Sequence, residues 1–321
     1  MTEFELIDRF FRRPARHAVL GIGDDAALLA PTPGCEIAAS VDMLVEGRHF
    51  FAGAEPEALG HKTLAVNLSD MAAMGATPRW ALLAGALPSA DAAWLGAFAR
   101  GFFALADLHG VDLVGGDTTR GPLNLCVTIL GEVPAGEALR RGGAHTGDSI
   151  WISGRLGDAA LALAHRAGRV RLHDGELASC EHALARPTPR VALGLALRGV
   201  ASAAIDVSDG LVGDLGHLLQ ASRLGATVDL DTVPRSAALE RQLSAGARDA
   251  ALQCLLAGGD DYELCFTAPA ARDADIAALA GPLDIALTRI GVATSASGLH
   301  VRDAAGRALD PLPRAFDHFA P

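Results

Sequence analysis

The feature that most constrains the fold of this chain is an apolar stretch, residues 56–75, that predicts a helix inside the protein. Pro56 suits a first helical position, Gly75 a left-handed cap, and Pro78 a stop just beyond. Apolar side chains cover most of the surface of this helix, so we expect it to be buried. Its second half nevertheless carries Asp70, and a buried carboxylate must be paired, hydrogen-bonded or bound to a metal. From this stretch alone, a core polar network and a functional site stay equally open.

Similar aspartates follow strands or glycine turns elsewhere in the chain. Any one of them suits a turn or a helix cap for backbone reasons. Several at strand ends, where α/β proteins form clefts, favour a shared site. Mg²⁺ prefers carboxylate oxygens and binds one or two of them together with substrate phosphates, so the array predicts several Mg²⁺ ions that hold a nucleotide. The members of the array are Asp24, Asp25, Asp42, Asp70, Asp117, Asp206 and Asp209.

The charge balance narrows the class of partner. The 321 residues carry 27 Lys and Arg against 38 Asp and Glu, a formal net charge of −11, which argues against nucleic acid and anionic membranes. Lys62 is the only lysine, so a bound polyphosphate needs metal ions and a few arginines. Five scattered cysteines without a Cys-x-x-Cys pair indicate reduced thiols in a cytoplasmic protein. The start of the chain lacks a signal-peptide pattern, and no apolar run is long enough to span a bilayer.

The order of the predicted elements indicates two α/β domains. Strands and helices alternate up to residue 133, and the Gly- and Arg-rich segment 134–147 is typical of a connection. A second α/β pattern then begins at residue 149. We expect an N-terminal domain over residues 1–137 and a C-terminal domain over residues 138–321.

Glycine turns offer a second way to hold phosphate. Backbone N–H groups at Gly115-Gly116, or at the helix start near Gly210, can form an anion nest. A Gly-Gly pair alone is more often a turn than a phosphate site, so both interpretations stay open at this point.

Taken together, five stretches resemble one family. In chain order they are Gly21 to Asp25, Asn67 to Ala76, Gly115 to Thr119, Ile205 to Leu211 and Asp261 to Leu264. They resemble the pattern of thiamine-monophosphate kinase, of the PurM-like ATP-binding superfamily, over essentially the full chain. The resemblance implies a two-domain α/β fold and a homodimer whose N-terminal sheets pair into a barrel. It also implies direct in-line transfer of the ATP γ-phosphoryl group to thiamine monophosphate, with several Mg²⁺ ions as cofactors.

The resemblance further implies roles for individual residues. The implied Mg²⁺ ligands are Asp25, Ser40, Val41 through its backbone, Asp42, Asp70, Asp117, Asp206 and Asp209, of which Asp42, Asp70 and Asp209 are the expected catalytic residues. The implied ATP contacts are Gly116, Asp117, Arg141 and Ser208. The implied acceptor contacts are His49, Asp260 and Phe316. The chain departs from the family at Val41, where many members have Thr, and at Asp260, where the longer Glu is usual.

Composition alone favours other interpretations of two of these residues. A lone loop histidine such as His49 is more often solvated than bound to a substrate. Phe316 is expected to anchor the tail in the core, since aromatic side chains mostly serve packing. Two alternatives for the whole chain also stay open: an ATP-dependent enzyme similar to aminoimidazole ribonucleotide synthetase, and a non-catalytic nucleotide-binding dimer.

Overall fold

The computed structural model describes residues 2–244 and 246–316. The chain divides into two compact units, which we call unit 1 (Met1–Met71 and Ala76–Ala138) and unit 2 (Ala72–Gly75 and Leu139–Pro321). Both units mix helices and strands, which confirms the predicted α/β class. The predicted boundary between residues 137 and 138 stays a prediction. Within the described ranges, no helix is long and apolar enough to cross a membrane.

Unit 1 contains one small strand pair and one larger sheet. Its helices are α1 (Glu3–Phe10), α2 (Pro56–Ala73) and α3 (Ala92–His109). Its strands are β1 (Ala18–Leu20), β2 (Leu28–Leu29), β3 (Cys35–Val45), β4 (Thr77–Leu87), β5 (Asp112–Arg120) and β6 (Asn124–Pro134). Among the described residues, β1 pairs with β2 and the other strands form a four-stranded sheet in the order β3-β6-β4-β5. The pairs of β6 with β3 and β4 are antiparallel, and β4 and β5 are parallel.

Helix α2 is buried along most of its length, as its apolar surface predicts. Leu64 and Leu68 have no exposed surface, and Gly75 has the left-handed φ of 61° expected of the cap. Asp70 itself is only half-buried. The side chain therefore keeps some exposed surface, and its carboxylate is hydrogen-bonded, which is one of the three states expected of a buried carboxylate.

One glycine prediction is wrong, because Gly115-Gly116 lies inside β5 and does not form a turn. Pairing between β4 and β5 shifts by one residue here, so Val114 is the extra residue of a β-bulge. Gly116 has a φ of 151°, and a Cβ at this position would lie 1.8 Å from the carbonyl oxygen of Leu83. Only glycine fits, since any side chain would separate β5 from β4.

Unit 2 is built on a larger sheet covered by helices. Its strands are β7 (Ser149–Ser153), β8 (Ala203–Val207), β9 (Gly225–Asp229), β10 (Glu263–Ala268), β11 (Leu287–Thr294) and β12 (Gly298–Arg302). Its helices are α4 (Asp158–Arg166), α5 (Asp174–Ala185), α6 (Val191–Ala196), α7 (Leu211–Ser222), α8 (Ala237–Ser244), α9 (Arg248–Ala257) and α10 (Asp273–Leu283). In the part of the chain that the structure describes, the strand order is β12-β9-β11-β7-β10-β8. Strand β8 forms one edge of this sheet and leads into α7 through residues 208–210.

Candidate active site

In unit 1, β3 and α2 bring together a first group of predicted ligands. Ser40 and Asp42 are two residues apart on β3, so their side chains share one face of the strand. The hydroxyl of Ser40 donates a hydrogen bond to the carboxylate of Asp70 on α2. Val41 lies on the opposite face and is 59% exposed, so only its backbone belongs to this group.

His49 lies in the loop that follows β3 and is held from two sides. Its Nδ1 accepts a hydrogen bond from the backbone N–H of Val45 at 2.9 Å, and its carbonyl oxygen accepts one from Nζ of Lys62 at 3.5 Å. With Nδ1 as an acceptor, the neutral ring carries its proton on Nε2. The N–H at Nε2 can donate a hydrogen bond.

A second group of predicted residues lines a cavity of about 830 Å³ in unit 1. Its lining includes the predicted residues Asp25, Gly116 and Asp117, together with other polar side chains: Asp8, Arg12, Asp24 and Thr118. The backbone N–H of Asp25 donates to the carboxylate of Asp24 at 2.9 Å. Both Asp25 and Asp117 are exposed, so their carboxylates are accessible from solvent.

The two groups of unit 1 lie at opposite edges of its sheet. Ser40 and Asp42 of the first group are on β3, and Gly116 and Asp117 of the second are on β5, three strand spacings or about 14 Å apart along the sheet. Over residues 2–244 and 246–316, no three His, Cys, Asp or Glu side chains lie close enough together to hold a metal ion. The donors are nonetheless hard oxygens, and Mg²⁺ keeps waters and binds through one or two carboxylates plus phosphates. These side chains therefore fit Mg²⁺ bound with a phosphate ligand better than a cage made of protein alone.

In unit 2, the predicted residues Asp206, Ser208 and Asp209 lie where β8 leads into α7. Asp206 is buried, with 6% of its surface exposed, whereas Asp209 is exposed. The carboxylate of Asp214, in the first turns of α7, accepts hydrogen bonds from the N–H groups of Ser208, Asp209 and Gly210 at 3.0, 3.0 and 3.1 Å. The turn is therefore fixed by a single internal carboxylate.

At the helix start near Gly210, the N–H groups of residues 208–210 already bind Asp214, so these three groups do not form an anion nest for a ligand. Burial raises the pKa of Asp214 to about 6, and the negative charge of Asp209 adds to this rise. The three N–H donors act in the opposite direction, since they stabilise the charged form. Phosphate recognition by residues 208–210 therefore has to come from their side chains.

The loop of residues 258–262 packs directly on the same turn. The N–H of Asp260 donates to the carbonyl of Ser208 at 2.9 Å, and that of Tyr262 donates to the carbonyl of Val207 at 2.8 Å. The hydroxyl of Tyr262 donates to Asp260 Oδ1 at 3.1 Å. Asp260 and Tyr262 have left-handed φ values of 69° and 52°, which are costly outside glycine and are typical of functional loops.

A second internal carboxylate, Asp261, lies in this loop and binds the start of α4. Both of its oxygens accept the N–H of Gly157 at 2.9 Å. Burial raises the pKa of Asp261 well above the usual carboxyl range, and the nearby charge of Glu263 acts in the same direction. In unit 2 two helix starts are thus bound by side chains of the protein itself.

Phe316 lies beside the same turn and is not the core anchor that composition favours. Its N–H donates to the carbonyl oxygen of Asp209 at 3.4 Å, and 55% of its surface is exposed. The preceding chain is held by Gln253, whose side-chain amide donates to the carbonyl of Arg314 at 2.9 Å. Residues 317–319, the rest of the predicted tail motif, lie outside the described residues.

Arg141 is the predicted residue that unit 2 does not bring to this turn. The hydroxyl of Ser222 donates to its carbonyl oxygen at 2.9 Å. Ser222 ends α7, whereas Ser208 precedes its start, and the 12 residues of this helix span about 18 Å. The backbone of Arg141 is therefore at the far end of α7, and its predicted ATP contact stays a prediction.

Sequence reasoning missed two residues of the site, Asp214 and Tyr262. A signal for Asp214 was present, since an acidic residue four positions after Gly210 suits the first turns of a helix. Tyr262 is the only tyrosine of the chain and immediately precedes β10. Its bond to Asp260 depends on two left-handed residues, which no spacing pattern predicts.

Comparison with known proteins gives concordant results for both units. Residues 23–133 match the family of AIR synthase related protein, N-terminal domain, and residues 145–304 match its C-terminal domain. Thiamine-monophosphate kinase of Salmonella typhimurium is 45% identical over 99% of this chain and 98% of its own length. The crystal structure of thiamine-monophosphate kinase from Stenotrophomonas maltophilia is 50% identical, with a TM-score of 0.86 over 96% of this chain and 98% of that one. The structure of AaThiL complexed with AMPPCP and TMP is 29% identical, with a TM-score of 0.78 over 93% and 92%.

Proposed function

The chain belongs to the thiamine-monophosphate kinase family, and from this premise we propose that it transfers the γ-phosphoryl group of ATP to thiamine monophosphate. The products are thiamine diphosphate and ADP. Kinases of this name match the whole chain at 45% and 50% identity, so the likeness includes both units. AaThiL binds AMPPCP, an analogue of ATP, together with TMP, which supports both substrates.

The observation that carries the proposal is the set of contacts around the turn of residues 208–210. The backbone of Ser208 binds Asp260, and the backbone of Asp209 binds Phe316. Ser208 and Asp209 are predicted contacts of ATP and Mg²⁺, whereas Asp260 and Phe316 are predicted contacts of the acceptor. In unit 2, residues proposed to contact ATP and Mg²⁺ are therefore hydrogen-bonded to residues proposed to contact the acceptor.

The reaction joins two phosphates, so its main requirement is to neutralise and position negative charge. We propose Mg²⁺ as the cofactor, in several ions, with the predicted oxygen donors as ligands. The bound ions would offset the negative charge of the phosphates. The protein would orient the phosphates for in-line transfer without a covalent intermediate. The oxygen donors support this assignment; the proposed ligands are Asp25, Ser40, Val41, Asp42, Asp70, Asp117, Asp206 and Asp209.

The acceptor carries a cationic thiazolium ring and an aminopyrimidine ring. An exposed aromatic face such as that of Phe316 can stack on either ring, and the carboxylate of Asp260 can accept from the amino group. Tyr262 orients this carboxylate through its hydroxyl, which supports a fixed position for the shorter side chain. His49 is proposed as a further acceptor contact, with Nε2 as its donor.

We also propose that two copies of the chain associate through the edge strand β3. Its alternate residues Ile37, Val41 and Met43 are 40%, 59% and 51% exposed, an apolar row on one face of the strand. An edge strand with such a face is a liability unless it is covered. A second copy of unit 1 would cover it, as the family resemblance implies. The supply of ATP and the free, largely buried cysteines support a cytoplasmic location.

The proposed function is tested by ADP release with alternative acceptors in a buffer containing Mg²⁺. We expect ADP release with thiamine monophosphate, and background release with thiamine or with the formylglycinamidine precursor of aminoimidazole ribonucleotide. Turnover with the precursor would favour the synthetase alternative. Nucleotide binding without turnover on any acceptor would favour the non-catalytic alternative.

A further inference from the structure

We propose that Asp214 is a positioning residue of the active site, which fixes the turn of residues 208–210 so that Ser208 and Asp209 meet Mg²⁺ and ATP in a defined orientation. The inference rests on the proposed function. Asp214 itself belongs to none of the predicted contacts. Its effect would pass through the backbone of the two residues that it holds.

The carboxylate of Asp214 accepts several hydrogen bonds from the turn. Three successive N–H groups converge on a single oxygen, Oδ2 of Asp214, at distances of 3.0 to 3.1 Å. Asp214 is 4% exposed, so water cannot replace these bonds without opening the structure. Gly210 is buried, and a buried donor that loses its acceptor carries a desolvation penalty, while Ser208 and Asp209 would lose the bonds that fix their backbone.

Other parts of unit 2 also bind or pack against the backbone of this turn. Its carbonyl oxygens at Ser208 and Asp209 accept from Asp260 and Phe316. Gly210 has a φ of 109°, and a Cβ there would lie 2.7 Å from backbone atoms of Ala257 at the end of α9. Asp214 therefore completes an arrangement in which N–H groups and carbonyl groups of the turn both bind the protein.

The contacts of Asp214 also determine how the turn can contact a ligand. A turn at a helix start ordinarily binds phosphate through its own N–H groups. Here an internal carboxylate binds the N–H groups of residues 208–210, so these residues meet a ligand through their side chains. The negative charge of the Asp214 carboxylate also attracts cations to the turn, which suits a site where metal ions bind the phosphates.

The test compares Asp214→Asn with a matched control, Asp148→Asn. Asparagine keeps the size of the side chain but removes its charge and turns one oxygen into a donor. Asp148 is also 4% exposed in unit 2 and accepts the N–H of His145 at 2.9 Å and the hydroxyl of Ser202 at 2.5 Å. The control therefore removes an equally buried carboxylate from a place that contacts no proposed ligand.

For Asp214→Asn we expect the Mg²⁺ concentration for half-maximal turnover to rise roughly tenfold or more, as for lost partners of metal ligands. The rise in melting temperature that Mg²⁺ and AMPPCP cause should shrink, because ligand binding stabilises by mass action. Asp148→Asn should lower the melting temperature of the free protein and change neither of these quantities. Asp214→Glu, which keeps the charge, should fall between wild type and Asp214→Asn.

Equal Mg²⁺ dependence in wild type and Asp214→Asn would overturn the inference, and so would an equal shift in the control. If Asp214→Asn does not fold, hydrogen exchange of the wild-type amides decides. The N–H groups of residues 208–210 should be protected without ligand and unchanged by Mg²⁺ and AMPPCP. Protection that appears only with ligand would show that they bind the ligand itself. A wild-type protein without kinase activity would contradict the proposed function, whereas an active wild type with an unchanged variant contradicts this inference alone.

Discussion

Asp70 of unit 1 is a half-buried residue of helix α2 and also a proposed Mg²⁺ ligand. It extends from a buried helix, yet it is half-buried and accepts the hydroxyl proton of Ser40. The carboxylate has a polar neighbour, Ser40, that orients it, and the side chain keeps enough access to reach a cation. The polar side chain that makes α2 unusual as a core helix is thus compatible with the role of a ligand.

We expect Asp70→Asn to keep the fold but to lower turnover by roughly a hundredfold or more, the scale of one lost preorganised electrostatic group. The amide oxygen can still accept from Ser40, so little structural change should follow. Steady-state kinetics at limiting Mg²⁺ measure the effect. Ser40→Ala, which removes the donor and keeps the carboxylate, should lose less. Near-normal turnover of Asp70→Asn would contradict the proposed ligand.

Phe316→Ala and Asp260→Ala should each raise the KM for thiamine monophosphate and leave the KM for ATP nearly unchanged. The reason is that the exposed ring and the oriented carboxylate suit the acceptor and not the nucleotide. Initial rates with each substrate varied in turn provide the measurement. Leu108→Ala, which removes an exposed apolar side chain from α3, is the control and should change neither constant. Parallel increases in both constants, or a loss of stability alone, would assign the two residues a structural role.

The sequence predicted residues better where the cause is local. The cap at Gly75 follows from backbone preferences that a single position expresses. The exposure of Phe316 depends on chain segments that are far apart in sequence, whereas Asp214 binds residues only four to six positions before it. Composition favoured the wrong environment for Phe316 because it states how often aromatics are buried, not where a tail lies.

Among the elements, glycines in α2 and α3 determine how closely these two helices approach each other. A Cβ at Gly60 would lie 2.0 Å from the carbonyl oxygen of Phe98, and a Cβ at Gly101 would lie 1.8 Å from that of Glu57. Each helix therefore places a glycine against the backbone of the other. The close approach keeps α2, and with it Asp70, in a fixed position against the rest of unit 1.

Gly60→Ala and Gly101→Ala should each lower the free energy of unfolding by about 1–3 kcal/mol, because an added methyl forces packed backbones apart. Urea unfolding followed by circular dichroism measures the change. Gly96→Ala is the matched control on α3, since its nearest neighbour would be 3.6 Å from the new Cβ. There the higher helix propensity of alanine should raise the free energy by up to about 1 kcal/mol. An equal change in all three variants would contradict the packing argument.

Elements were predictable from periodicity, but pairing was not. The spacing predicts strands over residues 149–153 and 203–207 and a helix over residues 211–222, and β7, β8 and α7 have these bounds. Helix α10 escaped the prediction, and it contains Pro282, which normally argues against a helix. The bulge in β5 arises from its register with β4, a relation between strands that neither strand expresses alone.

At the scale of the whole molecule, the exposed row on β3 bears on association between copies. We expect light scattering to give twice the mass of one chain at micromolar concentration. Met43→Asp, which places a charge in the apolar row, should shift the protein toward one chain. Leu108→Asp, an equally drastic change at a 76% exposed position on α3, should leave the mass unchanged. A fully active wild-type monomer would contradict the proposed dimer.

The central claim is that the phosphoryl group goes from ATP to thiamine monophosphate, and isotope transfer tests it most directly. The protein is incubated with Mg²⁺, thiamine monophosphate and ATP labelled in the γ-phosphate, and the products are separated by chromatography. We predict that the label appears in thiamine diphosphate in equal amount to the ADP formed. Label released as inorganic phosphate, with thiamine monophosphate unchanged, would contradict the claim.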